Sequence, residues 1–311
     1  MRRYASSIAF FFSAFVLFLV SFQGLVPVAV PEHSLDDPSR VTQISWRPRI
    51  FLYKGFLSGE ECDHIIKLAR SEMKRSMVAD SKSGDSRKSN VRTSSGTFLQ
   101  KHQDEVIGRI DQRIAKWTFL PEENAEALQV LRYEEGQKYE PHYDYFLDRK
   151  NQVRGGHRYA TVLMYLSDVE KGGETVFPIA EGASSQFKDD SWSECAKNGL
   201  AVKPKKGDAV LFFSLHINGT TDPASLHGSC PVIEGEKWSA PKWIHVSSYD
   251  NLQEPSSTEE CSDYNENCSY WASTGQCQKN PNYMIGNGVT LGNCRKSCMV
   301  CGKSKLMQLS S

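Results

Sequence analysis

Six of the nine cysteines in this chain fall between Cys261 and Cys301. So short a segment cannot bury enough core to fold by packing alone, and cysteines at that density read as a disulfide-stapled module. Such bridges persist in an oxidising compartment, so the cluster also places the chain in the secretory pathway. The other three, Cys62, Cys195 and Cys230, are spread thinly over the first 260 residues. That larger part must be held by a packed core. A chain of 311 residues, 39% hydrophobic and 24% charged, suits one or two globular domains and excludes a largely disordered protein. Lys plus Arg and Asp plus Glu number 37 each, so no net field draws the chain to nucleic acid, and no nucleic-acid partner is expected.

Ile8 to Val30 is largely apolar and uncharged, and Arg2 and Arg3 precede it. The run fits either a cleaved signal peptide or an uncleaved signal-anchor spanning the bilayer with the arginines on the cytoplasmic side. Its length and the lack of a clear small-x-small cleavage site favour the anchor. Both readings make the rest of the chain luminal. The expectation is a single-pass type II protein of the endoplasmic reticulum membrane, or of the Golgi. Two glycosylation acceptors, Asn218-Gly-Thr220 and Asn267-Cys-Ser269, agree with that compartment.

Ser58 and Glu61 form a capping-box pattern, and Cys62, Ile65, Ile66, Ala69 and Met73 follow at helical spacing. That spacing leaves Cys62 as a packed free thiol. Residues 80–96 are rich in Ser, Gly and charge and read as a loop. Val106, Ile107, Ile110, Ile114 and Trp117 mark a second amphipathic helix. After Pro121 the texture changes to short strands: Leu128–Tyr133, Tyr159–Leu166, Thr175–Phe177, Leu200–Val202, Val210–Phe213 and Trp243–Val246, punctuated by Gly- and Pro-bearing turns. Helices followed by many short strands predict an α+β domain, helices buttressing a sandwich or jelly roll. Cys195 and Cys230 bracket the segment around His227 and are expected to pair.

His142-Tyr143-Asp144 lies in an extended, aromatic stretch. Residues i and i+2 of a strand share a face, so imidazole and carboxylate can approach one ion together. A second histidine from a distant strand would complete a two-His, one-carboxylate set, which leaves positions open on non-haem Fe(II). A catalytic zinc uses the same donors, and a lone His-x-Asp is common by chance. Downstream, His227-Gly228 is followed by Lys237-Trp238.

These motifs together resemble the 2-oxoglutarate-dependent prolyl 4-hydroxylases of the secretory pathway, from about Trp46 to Tyr249. The resemblance is carried by Leu131-Arg132-Tyr133, Tyr139 to Asp144, Ala160 to Leu166, Gly172 to Pro178, Lys206 to Ala209, His227-Gly228 and Gly235 to Trp238. It implies a double-stranded β-helix (jelly-roll) core, with His142, Asp144 and His227 as iron ligands. Lys237 would hold the far carboxylate of 2-oxoglutarate, with Tyr133 as a lesser contact to it. His216 competes as distal ligand, but its tenth following residue is Leu226, whereas His227 is followed at that spacing by Lys237. The implied cofactors and co-substrates are Fe(II), 2-oxoglutarate, O2 and L-ascorbate, and the implied product is 4-hydroxyproline in proline-rich proteins. Arg92-Thr93-Ser94-Ser95-Gly96 resembles the family's substrate loop. Arg92, Ser94, Glu126, Arg158 and His245 are inferred to contact peptide because they lie beside family motifs. Association with copies of itself or with related hydroxylases is a further partner expectation.

Six cysteines allow 15 connectivities, and spacing alone does not choose among them. Cys261 to Cys301 resembles a ShK toxin-like domain, which implies Cys261–Cys301, Cys268–Cys294 and Cys277–Cys298. A zinc knuckle on Cys298-x-x-Cys301 is the rival reading, disfavoured by the compartment and by the lack of a second CxxC. The expected organisation is an anchor over 1–30, a stem over 31–45 and a dioxygenase domain over 46–250. Within that domain 46–120 is expected to be helical and 121–250 to form the jelly roll. A linker over 251–260, the ShK-like module over 261–301 and a tail complete the chain. A related hydroxylase acting on lysine, and a non-catalytic peptide-binding module, remain as alternatives.

Overall fold

The computed structural model describes residues 37–79, 84–148, 151–250, 262–287 and 290–300. The apolar run from Ile8 to Val30 and the expected Cys261–Cys301 pair lie outside them. Among the described residues no helix is long and apolar enough to cross a membrane.

The first third alternates strands and helices: β1 (Val41–Trp46), β2 (Arg49–Tyr53), α1 (Gly59–Ala69), β3 (Lys74–Arg75), β4 (Val78–Ala79), β5 (Ser86–Arg87), β6 (Ser95–Leu99) and α2 (Glu105–Thr118). Ser58 caps α1 by accepting from the Glu61 amide, and the Glu61 carboxylate accepts from the Ser58 amide. The same carboxylate takes two 2.9 Å bonds from the Arg113 guanidinium, clamping α1 to α2. Cys62, Ile65 and Ala69 of α1 and Ile107, Ile110 and Ile114 of α2 are the buried stripes that the periodicity predicts. Cys62 is a buried free thiol, and burial pushes it up to about 12, which makes it inert as a nucleophile.

The rest is mostly strand: β7 (Leu128–Tyr133), β8 (Tyr139–His142), β9 (Arg158–Tyr165), β10 (Lys171–Gly172), β11 (Thr175–Phe177), β12 (Leu200–Val202), β13 (Ala209–Phe213), β14 (His227–Ser229), β15 (Val232–Glu234) and β16 (Lys237–His245). They form a large sheet in the order β1-β2-β13-β9-β16-β7-β6-β3 and a small one in the order β12-β11-β14-β8. Every pairing in both sheets is antiparallel. Alternation on β9 and β13 builds two cores. Val162, Met164, Ala209 and Leu211 face the helices, while Tyr165, Val210 and Phe212 face Phe177, Leu200 and Val202 of the small sheet. Two facing antiparallel sheets with helices behind the larger one are consistent with a jelly-roll core in an α+β domain.

Two sequence expectations need correction. The stem was to run to residue 45, but β1 starts at Val41 and pairs with β2 in the large sheet. Its edge position leaves Thr42 and Gln43 exposed, and the buried Ser45 accepts from the Arg47 amide, so no apolar run announces it. The segment 46–120 is likewise not purely helical, since β2, β3 and β6 join the same sheet. β16 was visible only from Trp243 because two lysines and a proline interrupt its apolar pattern, yet all nine of its residues are buried. Lys242 is accommodated by an ion pair with Asp111 of α2 at 2.6 Å. Pro241 lies beyond the three residues that pair with β7.

Cys195 bonds to Cys230, tying the short helix α3 (Glu194–Lys197) to the residue after β14. In the carboxy-terminal module Cys268 bonds to Cys294 and Cys277 to Cys298, two of the three pairs that the ShK-like resemblance implies. Cys268, Cys277, Cys294 and Met284 are its buried centre, and Cys298 packs against them.

Candidate metal centre and its adjoining pockets

The small sheet creates the site. β8 and β14 run antiparallel with His142 directly opposite His227, and the two rings lie 4.4 Å apart. Each ring faces a backbone carbonyl two residues earlier. His142 Nδ1 lies 2.9 Å from the Glu140 oxygen, and His227 Nδ1 lies 2.9 Å from the Ser225 oxygen. Those carbonyls place the proton on Nδ1 and leave both Nε2 lone pairs free. Asp144 lies just past the end of β8, so the simple alternation expected of a strand carries only as far as His142. Its Oδ1 is 3.7 Å from His142 Nε2 and its Oδ2 is 3.7 Å from His227 Nε2. Ligand atoms of all three residues lie within 4.8 Å of one another.

The electrostatics suit a cation. Burial, with His227 nearby, pushes His142 down to about 3 against the pull of Asp144, so its imidazole is neutral at physiological pH. Burial works to raise Asp144, but His227, His142, Arg158 and a bond from Thr161 hold it below the usual carboxylate range. Two imidazole nitrogens and one carboxylate at this spacing fit a ferrous ion with positions to spare. The donor set alone also fits zinc.

The adjoining cavity separates those readings. Lys237, the first residue of β16, lines the same cavity as His142, Asp144 and His227, together with Tyr133 and Thr175. Its ammonium is buried, donates to Ser229 Oγ at 2.9 Å, and lies within 5.6 Å of the Tyr133 and Tyr165 ring centres. Burial drives it down to about 7, opposed by the charge of Glu174. A buried cation beyond three metal-ligand side chains is what a small dicarboxylate needs, one end chelating and the other ion-paired. Phe212, which lines the cavity, and Phe177 pack against the His227 ring and set apolar surface beside it.

In front lies an open groove of about 820 Å³. Of the five expected peptide contacts, Arg92, Glu126 and Arg158 line it. Ser94 is fully buried and donates to Ser76 Oγ, and His245 is sandwiched between Glu126 and the Gly156 carbonyl. Those two therefore stand behind the wall, and the expectation of direct contact gives way to a supporting position. Arg158 bonds to Glu126 at 2.6 Å and lies 3.7 Å above the Trp243 ring. Burial works to raise Glu126, but Arg158 and His245 hold it down at about 2. Arg92 sits 4.8 Å over Tyr139, which stacks on His142 at 3.6 Å. His216 is exposed beside Asp222 and does not line this cavity.

Tyr139, Thr161, Thr175 and Trp243 are site residues that sequence reasoning left without a role. Tyr139, Thr161 and Thr175 lay inside motifs that carried the resemblance. Their task is to shape a pocket, and no residue type announces that.

A family model described as the 2OG-Fe(II) oxygenase superfamily matches residues 128–245, which contain the whole triad and Lys237. The chain is 63% identical over 265 residues to probable prolyl 4-hydroxylase 7 of Arabidopsis thaliana, covering 85% of this chain and 83% of that protein. It is 54% identical over 289 residues to prolyl 4-hydroxylase 2 of the same plant, covering 92% and 96%. Among solved structures, a viral collagen prolyl hydroxylase from Paramecium Bursaria Chlorella virus-1 with 2OG is 29% identical, covers 63% of this chain and 94% of that one, and superposes with a TM-score of 0.46. The identity and reach of the plant relatives decide the assignment: this chain belongs to the prolyl 4-hydroxylase family of 2OG-Fe(II) oxygenases.

Proposed function

We propose that this enzyme hydroxylates C4 of peptidyl proline, coupled to decarboxylation of 2-oxoglutarate to succinate and CO2. The observation that carries the reading is the single cavity shared by the His142–Asp144–His227 triad and the buried Lys237, open to a peptide-sized groove. His142, Asp144 and His227 would hold Fe(II), and Lys237 with Tyr133 would take the far carboxylate of the co-substrate. Bound there, the ion supplies the oxygen-activating redox chemistry that protein side chains lack. The chain's own part is positioning. The carbonyls of Glu140 and Ser225 fix the imidazoles, Ser229 steadies the Lys237 ammonium, and Phe177 and Phe212 exclude water. The double-stranded β-helix implied by the resemblance gives this cavity its rigid walls.

A proline-rich segment enters as an extended polyproline II helix without internal hydrogen bonds. Tyr143, Tyr145, Phe146, Trp243 and Tyr249 on the groove offer the flat faces that such a helix packs against. Substrates of cell-wall-glycoprotein or collagen-like sequence fit this surface. L-ascorbate would restore the ferrous state after unproductive cycles. Further parts of the proposal are a signal-anchor over 1–30 in the endoplasmic reticulum or Golgi membrane, a ShK-like module closed by Cys261–Cys301, glycans on the exposed Asn218 and Asn267, and association with related hydroxylases.

The test is mass spectrometry of proline-rich peptides incubated with enzyme, Fe(II), 2-oxoglutarate and ascorbate. Hydroxyproline is expected, with none from His142→Ala, Asp144→Ala or His227→Ala. Modification of lysine instead, or full turnover by any triad variant, would overturn the assignment.

A further inference from the structure

The three ligand side chains are not held alike. His142 and His227 sit on paired strands, and each ring is pinned by a carbonyl only two residues away. Asp144 lies past the end of β8, so no strand register fixes its carboxylate. What holds it comes from elsewhere in the fold. Thr161 Oγ1 donates to Asp144 Oδ2 at 2.6 Å, a short charge-assisted bond between residues 17 apart in sequence. Thr161 is 2% exposed on β9, a central strand paired on one side with Phe212 and on the other with Trp243. Its hydroxyl cannot turn to solvent, and its β-branched side chain is stiff about the first torsion.

We propose that Thr161 is the positioning residue of the metal centre. By donating to Oδ2 it would fix the orientation of the Asp144 carboxylate beside His142 and His227, the side chains that would hold the ion with it. The β9–β13–β16 sheet thereby supplies the orientation that the bend after β8 lacks. Removing the donor leaves a buried carboxylate short of a partner and free to rotate, at the expense of metal affinity.

This inference rests on the triad being a metal site, and one titration separates the two claims. Free Mn(II) is followed by its electron paramagnetic resonance signal as it is added to metal-free, folded full-length protein. Wild type binding Mn(II) while His142→Ala does not supports the site. Absence of wild-type binding would overturn the site and this inference together. Thr161→Val keeps the side chain's volume, and Thr161→Ala removes it. Both are expected to bind Mn(II) about 10–100-fold more weakly, with Thr161→Ser close to wild type. Wild-type affinity in either folded hydroxyl-free variant would overturn the role of Thr161. So would a Thr161→Ser variant as weak as Thr161→Val, since packing and not the hydroxyl would then be responsible.

Discussion

Lys237 is a cation placed where a cation is costly. Burial lowers it to about 7, so in the co-substrate-free enzyme its ammonium is half lost at neutral pH. In its proposed role that ammonium would pair with the far carboxylate of the doubly charged co-substrate. Because this pKa is depressed below the ordinary lysine value, protonation is complete only well below 7 and fades as pH rises. The KM for 2-oxoglutarate is therefore expected to be flat from pH 5.5 to about 6.5 and then to climb toward about tenfold per pH unit. A KM that stays level to pH 9 would count against Lys237 as the carboxylate partner. The variant Lys237→Ala should raise that KM by about 10–100-fold and abolish its pH dependence, with peptide KM little changed. At this scale the sequence pointed to the residues whose own chemistry would carry the proposed function, the triad and Lys237, and the fold brings them to one cavity. It was silent where the function passes through a neighbour. Nothing about Thr161 or Tyr139 in the linear chain says that one grips Asp144 and the other stacks on His142.

Between elements, the Glu61–Arg113 clamp joins α1 to α2 behind the large sheet. Glu61 serves twice, since it also completes the cap at Ser58. Ser58→Ala removes only the cap and should cost about 1 kcal/mol in denaturant unfolding. Glu61→Ala strands a buried guanidinium and should cost about 3–5 kcal/mol. Comparable losses for the two would show that the clamp adds nothing to the cap. The two helices were legible because an amphipathic stripe with a period of 3.6 is a strong signal. The strands were legible only where apolar residues alternated or ran together. β1 escaped because an edge strand carries polar residues, and most of β16 escaped because two lysines and Pro241 break its apolar pattern, Lys242 being neutralised by Asp111, a partner that only the fold brings near.

Across the molecule, packing and cross-linking do separate work, as the uneven cysteines suggested. Every described residue of the triad, the Lys237 pocket and the groove lies between Glu72 and Tyr249. The module keeps its own buried centre of Cys268, Cys277, Met284 and Cys294. A chain ending at residue 250 should therefore retain kcat on short proline-rich peptides within about twofold, because no catalytic contact is lost. A fall of tenfold or more would make the module part of the catalytic unit. The pairing of His142 with His227 has a consequence of another kind. The two strands are 85 positions apart in sequence and meet only when the small sheet closes. Contacts of such separation form late, after the local helices and hairpins. A chain still being synthesised thus carries no assembled iron site, and it gains the capacity for oxidative chemistry only once the cavity that contains that chemistry has been built around it.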